Sequence, residues 1–477
     1  MDGLVYPDRT PHTGLLEYKN VHRPARVVSF VQGSSMQDIL SGASGQKKED
    51  SPARRDRRDE SVSCILTLKN EMNYVDLRDY ISLEYEVTCD DTRIAGGIVS
   101  APQIPSILPG QTGKVYMTLP VLPGAGRLYL KVSYLLRKAD AFREEGLLLG
   151  FDEIPLGTDN SGAAAGVNGY AHQFVQQLAA DAAAHAHRME PVQVEEDDRY
   201  LILQGEYFIY TYSKLTGTFE RMTFARRELL DRPMEVNIWR APTDNDMYIR
   251  KEWEKAMYDR AYSRAYTTEY RIEEDAVEIR SRTAVLGVTV QRMMTIDAVW
   301  TVSARGQVSV HMDAVRDMDF PELPRFGLRL FLPETMQNAV YYGMGPLESY
   351  ADKHRASWHG LFAAPVRDLH EDYIRPQENG SHCDCDYVRL FDNGFSVTAY
   401  SARPFSFNAS VYTQEELTRK AHNYELEPCG STVLCLDARQ TGIGSNSCGP
   451  RPQEKYRFDD ERFSYDMTIL PAREAAE

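Results

Sequence analysis

The runs VEIRSRTAVLGVTVQRMMTI (Val277–Ile296) and WTVSARGQVSVHM (Trp300–Met312) carry the decision about fold class. Apolar side chains recur at every second position, at Val277 and Ile279, then at Val308, Val310 and Met312, with polar residues between them. That period of two belongs to strands with one buried face. Working outward, the same pattern returns in YFIYTYSK (Tyr207–Lys214), FGLRLFL (Phe326–Leu332), FSVTAY (Phe395–Tyr400), FSFNASVY (Phe405–Tyr412), STVLCLDA (Ser431–Ala438) and FSYDMTIL (Phe463–Leu470). So many long strands predict an all-β fold, with one large antiparallel sandwich over residues 199–471. One interruption, Asp246 to Arg264, spaces Trp253, Ala256, Met257 and Ala261 like one face of a helix or lid.

Upstream, VSCILTLKN, ISLEYEVTC, GKVYMTLPV and RLYLKVSYLL alternate in the same way between Pro- and Gly-bearing turns. They predict an immunoglobulin-like sandwich over 23–156. The run KKEDSPARRDRRDE (Lys47–Glu60) mixes both signs of charge and reads as a solvated loop insertion. Residues 157–198 open with a Gly-, Ala- and Ser-rich stretch and read as a flexible linker. Tyr170 to Arg188 could form a helix, although His172, His185 and His187 do not share a helical face on which to hold a metal. Residues 1–22 are too short to fold alone; a strand at Leu4–Tyr6 and a helix over Leu15–Val21 must dock on something else.

The 477 residues carry 42% hydrophobic and 26% charged residues, with a net charge of −16. That excess of acid disfavours a nucleic-acid or anionic-membrane partner. No apolar run approaches the ~20 residues needed to cross a bilayer, and the first residues lack the features of a signal peptide. Seven thinly spread cysteines fit reduced thiols, so a cytoplasmic location is expected.

Chemistry-bearing residues crowd between Tyr341 and Asp386. Gly343 and Gly345 flank Met344 before Pro346, which allows sharp turns, and Glu348, Tyr350, Asp352, Lys353 and His354 follow on an expected exposed loop. YIRPQENG (Tyr373–Gly380) makes a second loop. In His382-Cys383-Asp384-Cys385-Asp386, strand alternation would put His382, Asp384 and Asp386 on one face, a conceivable divalent-ion set. Zinc thiolate motifs space their cysteines more widely, which argues against that use. TGIGSNSCGP (Thr441–Pro450) is Gly-rich but lacks the lysine and following helix of a phosphate cradle.

GMGPLESYADK, YIRPQENG, PFSFNASVYTQEEL and TGIGSNSCGPRP, in that order, resemble the C-terminal sandwich domain of the β-galactosidases of glycoside hydrolase family two. NIWRAPTDND (Asn237–Asp246) resembles the opening of that sandwich, and MDGLVYPDRTPHTGLLEYKNV (Met1–Val21) the last strand and helix of the family's catalytic barrel. The resemblance implies a mutarotase-like supersandwich and a role as the C-terminal part or small subunit of an enzyme that hydrolyses terminal β-galactosides. It implies a large catalytic subunit or a missing N-terminal part, an oligomer, and Mg and Na in the complete enzyme. Both catalytic carboxylates lie on barrel strands upstream of this chain's matching start, so Glu348, Asp352, Glu371, Asp372 and Glu378 receive no catalytic role. The loop with Asn446, Ser447 and Cys448 corresponds to one reaching the barrel mouth, where many members place a sugar-stacking Trp; Cys448 stands there instead. Gly345, Pro346, Glu348 and Asp352 match the family's mobile loop, and Asp2 matches a sodium ligand of some members. A stand-alone carbohydrate-binding protein is the other reading, and an aromatic platform would mark it; Trp239, Trp253, Trp300 and Trp358 are scattered.

Overall fold

The computed structural model describes residues 3–33, 61–99, 101–156, 172–185, 189–289 and 291–474. Asp2, His187 and the charged run Lys47–Glu60 lie outside the described residues. The chain divides into two compact units, Leu4–Gln173 and Phe174–Glu477, the latter with Met1–Gly3.

Among the described residues of the first unit, seven strands form: β1 (Ala25–Gly33), β2 (Ser61–Asn70), β3 (Ile81–Cys89), β4 (Thr92–Val99), β5 (Thr112–Pro120), β6 (Leu128–Leu136) and β7 (Leu148–Pro155). They make two antiparallel sheets, β1-β2-β5 and β4-β3-β6-β7. The alternation of the sequence aims Leu66, Leu68 and Val115 from one sheet, and Leu83, Val87 and Leu130 from the other, into one core. A helix over Thr13–Val21 is pinned by Asn20, whose side-chain oxygen accepts from Phe151 N at 2.7 Å. Just after it, Arg23 pairs with Asp152, which also accepts from Tyr134 Oη at 2.6 Å. Leu4, Val5 and Tyr18 of the same segment stay about half exposed (51%, 46% and 54%).

The second unit holds β8 (Gln193–Glu196), β9 (Tyr200–Gln204), β10 (Phe208–Ser213), β11 (Thr218–Phe224), β12 (Arg227–Glu228), β13 (Arg232–Asn237), β14 (Tyr262–Ile272), β15 (Ala276–Leu286) and β16 (Met294–Ser303). It continues with β17 (Val308–Arg316), β18 (Arg325–Pro333), β19 (Asn338–Gly345), β20 (Trp358–Pro365), β21 (Ser381–Phe391), β22 (Phe395–Ser410), β23 (Ser431–Gln440) and β24 (Arg462–Arg473). Strands β8 to β12 form a five-stranded sheet, and the other twelve one large antiparallel sheet with β14 at its open end. Between them, Phe219 of the small sheet meets Trp300 of the large one edge to face at 5.3 Å, a favoured aromatic geometry. The fold is all-β. The lid-like interruption is a helix, Ile249–Lys255, held by the fully buried Trp253.

The expected linker, 157–198, is more structured than its composition suggests. Gln173–His185 is a helix and Gln193–Glu196 is a strand; 157–171 lie outside the described residues. The helix is held by few but large contacts: Val175 packs among Tyr342, Tyr387 and Tyr400, and Phe174 lies 4.8 Å from Tyr387. Among the described residues, no helix is long and apolar enough to cross a membrane.

Candidate functional site

The site is built where β13, β18 and β23 run out into loops. Strand β13 ends at Asn237, and Arg240 follows, fully buried. Its guanidinium takes Asp246 with both arms (2.8 and 3.2 Å) and donates to the carbonyls of Thr441 and, at 3.2 Å, Gly442. One arginine thus joins the β13 exit to the loop after β23. Burial works against its charge, but Asp246 and Glu378 hold the guanidinium above its ordinary value.

The loop Thr441–Pro450 has two further anchors. Asp352 accepts from Ile443 N (3.0 Å) and Gly444 N (2.8 Å). Asn245 donates to Gly444 O at 2.5 Å and accepts from Ser447 Oγ at 2.8 Å. Gly442 permits this approach, because a Cβ there would sit 2.5 Å from the Asp352 carboxylate. Cys448 is exposed at the loop's outer turn, and Asn446 is half-buried beside it. Ser447 lines a pocket of about 470 Å³ with Pro242, Asp244, Arg250, Lys251 and Arg375. Its wall is polar and mixed in charge, suited to a hydroxyl-rich ligand rather than an apolar one.

The segment Gly345–Asp352, expected as an exposed loop, is largely buried instead: Glu348, Ser349 and Tyr350 are 7%, 0% and 3% exposed. The reason is an ion pair invisible in linear sequence. Glu348 accepts from Lys353 Nζ and Tyr373 Oη, each at 2.5 Å, and from Gly380 N at 2.9 Å. Burial opposes its ionisation, but Lys353, Tyr373 and the Gly380 N–H together hold the carboxyl below the ordinary glutamate range. Gly380 has φ +67°, and a Cβ on it would lie 2.4 Å from Leu369 O, so the second loop also depends on a glycine. That loop returns to the first: Gln377 accepts from Asp244 N (2.9 Å), and Glu378 N donates to Ala241 O (3.0 Å).

Beneath both loops lies a buried charge network. Arg325 holds Asp437 with two bonds (3.0 and 2.6 Å) and Glu378 with one (3.1 Å). Glu378 Oε1 has no hydrogen-bond partner among the described residues, and burial pushes this carboxyl up despite Arg325 and Arg240 nearby.

The expected His382–Asp384–Asp386 face does not form. The β21–β22 register slips on both sides of Cys385, and Asp384 takes φ +53°, so the alternation behind that set is broken. His382 Nδ1 lies 3.0 Å from Tyr341 Oη and 3.1 Å from Met344 O, whereas Asp384 meets His359 Nε2 at 2.6 Å. Among the described residues, no three His, Cys, Asp or Glu side chains gather as a metal site requires. Nor is there an aromatic platform from the tryptophans: Trp239, Trp253 and Trp300 are buried in the core. The sequence reading gave no role to Arg240, Arg325, Tyr373 or Asp437. Arg240 and Tyr373 had a signal, their places within NIWRAPTDND and YIRPQENG; Arg325 and Asp437 meet across 112 residues of chain.

A family model described as "Beta galactosidase small chain" matches residues 204–469, and a second, "Beta-galactosidase, domain 4", matches 66–157. A β-galactosidase from Actinobacillus pleuropneumoniae is 34% identical over 98% of this chain and 41% of its own length. One from Staphylococcus xylosus is 29% identical over 98% of this chain and 42% of its own. The chain therefore spans about two-fifths of the length of these two relatives. A solved galactose 1-epimerase from Lactobacillus acidophilus covers 60% of this chain and 100% of its own, at 9% identity and a TM-score of 0.35. With more than half of its residues inside the first family model, the chain belongs to the β-galactosidase small chain family.

Proposed function

We propose that this chain is the non-catalytic part, or small subunit, of a β-galactosidase that hydrolyses terminal β-D-galactosides. The observation that carries this reading is the loop Thr441–Pro450, fixed by Arg240, Asp352 and Asn245 beside a polar pocket, in a chain of the small chain family. A retaining glycosidase needs two carboxyl groups ~5 Å apart across the scissile bond. The two carboxylates that line the pocket are each paired with an arginine, Asp244 with Arg375 at 3.4 Å and Glu254 with Arg250 at 2.6 Å. Around it Asp246 is held by Arg240, Asp352 by the loop amides and Glu348 by Lys353. Both catalytic carboxylates belong to a larger catalytic partner.

This chain's residues shape and orient. The loop presents Asn446, Ser447 and Cys448 to the sugar, and the Gly345–Asp352 segment holds that loop through Asp352. Leu4, Val5 and Tyr18, left exposed on the N-terminal segment, dock on the catalytic partner and exclude water there. Sodium and magnesium serve the complete assembly, with Asp2 as one sodium ligand. The assembly is oligomeric and cytoplasmic.

The experiment is reconstitution. The purified chain shows no turnover of an aryl β-galactoside, and adding the large catalytic chain restores it. Turnover by homogeneous chain alone, abolished by mutating one of its own acidic residues, would overturn the reading.

A further inference from the structure

The large sheet ends in an open strand, and we infer that β14 is an interface that pairs edge to edge with β14 of a second copy of this chain. Strand β14 pairs with β15 on one side only. Which backbone groups face outward follows from the register. Strand β15 pairs with β16 without a break from Ala276 to Val285, so its hydrogen-bonding direction alternates regularly. Ala265 faces Thr283 and sends its N–H off the sheet, to Leu215 O at 2.8 Å. Past the bulge at Tyr266, Thr268, Tyr270 and Ile272 face Ser281, Ile279 and Val277, which share the parity of Thr283. Their N–H and C=O groups therefore aim at the open edge. Glu273 N, opposite in phase, turns back to Ala276 O, as this alternation requires. Among the described residues nothing bonds to the outward groups of these three.

Side-chain chemistry selects both partner and register. Glu269 and Arg271 are exposed on one face, and among the described residues neither makes an ion pair. Inside the sheet Glu269 stands opposite Arg280, and Arg271 opposite Glu278, in an alternating row of charge. An antiparallel copy with its two-fold axis at Tyr270 places Glu269 of each chain opposite Arg271 of the other, twice, and extends that row across the junction. It also sets the 57%-exposed Ile272 opposite Thr268. A shift by one residue would mismatch the hydrogen-bonding groups. An axis at Thr268 would bring the partner against the Leu215 turn that already occupies Ala265 N, and an axis at Ile272 would oppose Glu269 to Asp275. The strand is therefore complementary to itself in one register.

Sedimentation equilibrium of the full chain tests this directly. The native chain is expected to dimerise. Glu269→Arg and Arg271→Glu each create like-charge pairs and should weaken the dimer by about tenfold or more. The double variant Glu269→Arg/Arg271→Glu restores the pairing with reversed signs and should recover it. All three changes are at exposed positions, so native circular dichroism is expected throughout. A chain that stays monomeric at its highest soluble concentration overturns the inference, as does a dimer indifferent to the single changes or not rescued by the double. Loss of large-chain binding by the single variants, with no self-association, would assign the edge to that partner instead and equally overturn it.

Discussion

At the residue scale, Asp352 does the most for the candidate site with the least. Two amide bonds to Ile443 and Gly444 are charge-assisted, and bonds of that type contribute about 1.5–3 kcal/mol each. Asp352→Ala should therefore speed amide exchange at Ile443 and Gly444 by roughly thirtyfold or more, while β15 and β16 exchange as before. Unchanged loop rates would mean that Arg240 and Asn245 suffice to hold it. Cys448 gives a second residue-scale expectation. Its thiol is exposed, whereas burial pushes Cys64 up to about 11 and Cys383 and Cys435 up to about 12. Iodoacetamide at mildly alkaline pH should modify Cys448 well before those three, since the thiolate is the nucleophile. In the reconstituted enzyme, Cys448→Trp adds an aromatic face worth ~1 kcal/mol against a sugar, so KM for a disaccharide should fall about fivefold. An unchanged KM would remove Cys448 from the sugar's surroundings.

At the element scale, strands were readable and their irregularities were not. Period-two alternation located β15, β16 and β17 because each buries one face on a continuous core. It misled at His382–Asp386, where two register slips and the left-handed Asp384 cancel the alternation on which a shared ligand face depended. Local composition allowed the helix Gln173–His185 but not the contacts that hold it. Its Ala-rich sequence offers few anchors, and the tyrosines that receive Val175 lie on strands β19, β21 and β22. Val175→Asp would bury a carboxylate in the cluster of Tyr342, Tyr387 and Tyr400, at a cost of ~2–4 kcal/mol. The helix should detach before the sandwich unfolds, and limited proteolysis should cut within it at rates the native chain does not show. Resistance equal to the native chain would mean that the helix is held elsewhere.

At the scale of the whole molecule, family motifs pointed to loops that the fold brings together, while the charge network beneath them was out of reach of linear reading. NIWRAPTDND, YIRPQENG and TGIGSNSCGP converge through Arg240, Gln377 and Asp352. Arg325 and Asp437 look ordinary in their own strands, and nothing in YIRPQENG shows that its Glu378 meets them.

Buried titratable groups of this kind should also set the molecule's response to acid. His382 is buried between Tyr341 and Phe407, its Nε2 without a partner among the described residues, and desolvation lowers its pKa from 6.5 to about 4. The unfolded chain thus takes up this proton at a higher pH than the folded one. Stability from His382 is complete above pH 6.5 and is lost progressively as pH falls toward 4, by ~3 kcal/mol at most. Glu348, held below the ordinary glutamate range by Lys353 after burial is overcome, acts in the same direction at lower pH. Its contribution is present above the unfolded value of 4.5 and disappears as pH drops through its depressed folded value. Urea unfolding followed from pH 8 to pH 3 should show stability falling in this order. His382→Phe keeps the aromatic contacts without a titrating nitrogen, so its curve should be flatter than the native one between pH 6.5 and 4, even where its absolute stability is lower. Parallel curves for the two proteins would show that His382 takes no part in the acid response.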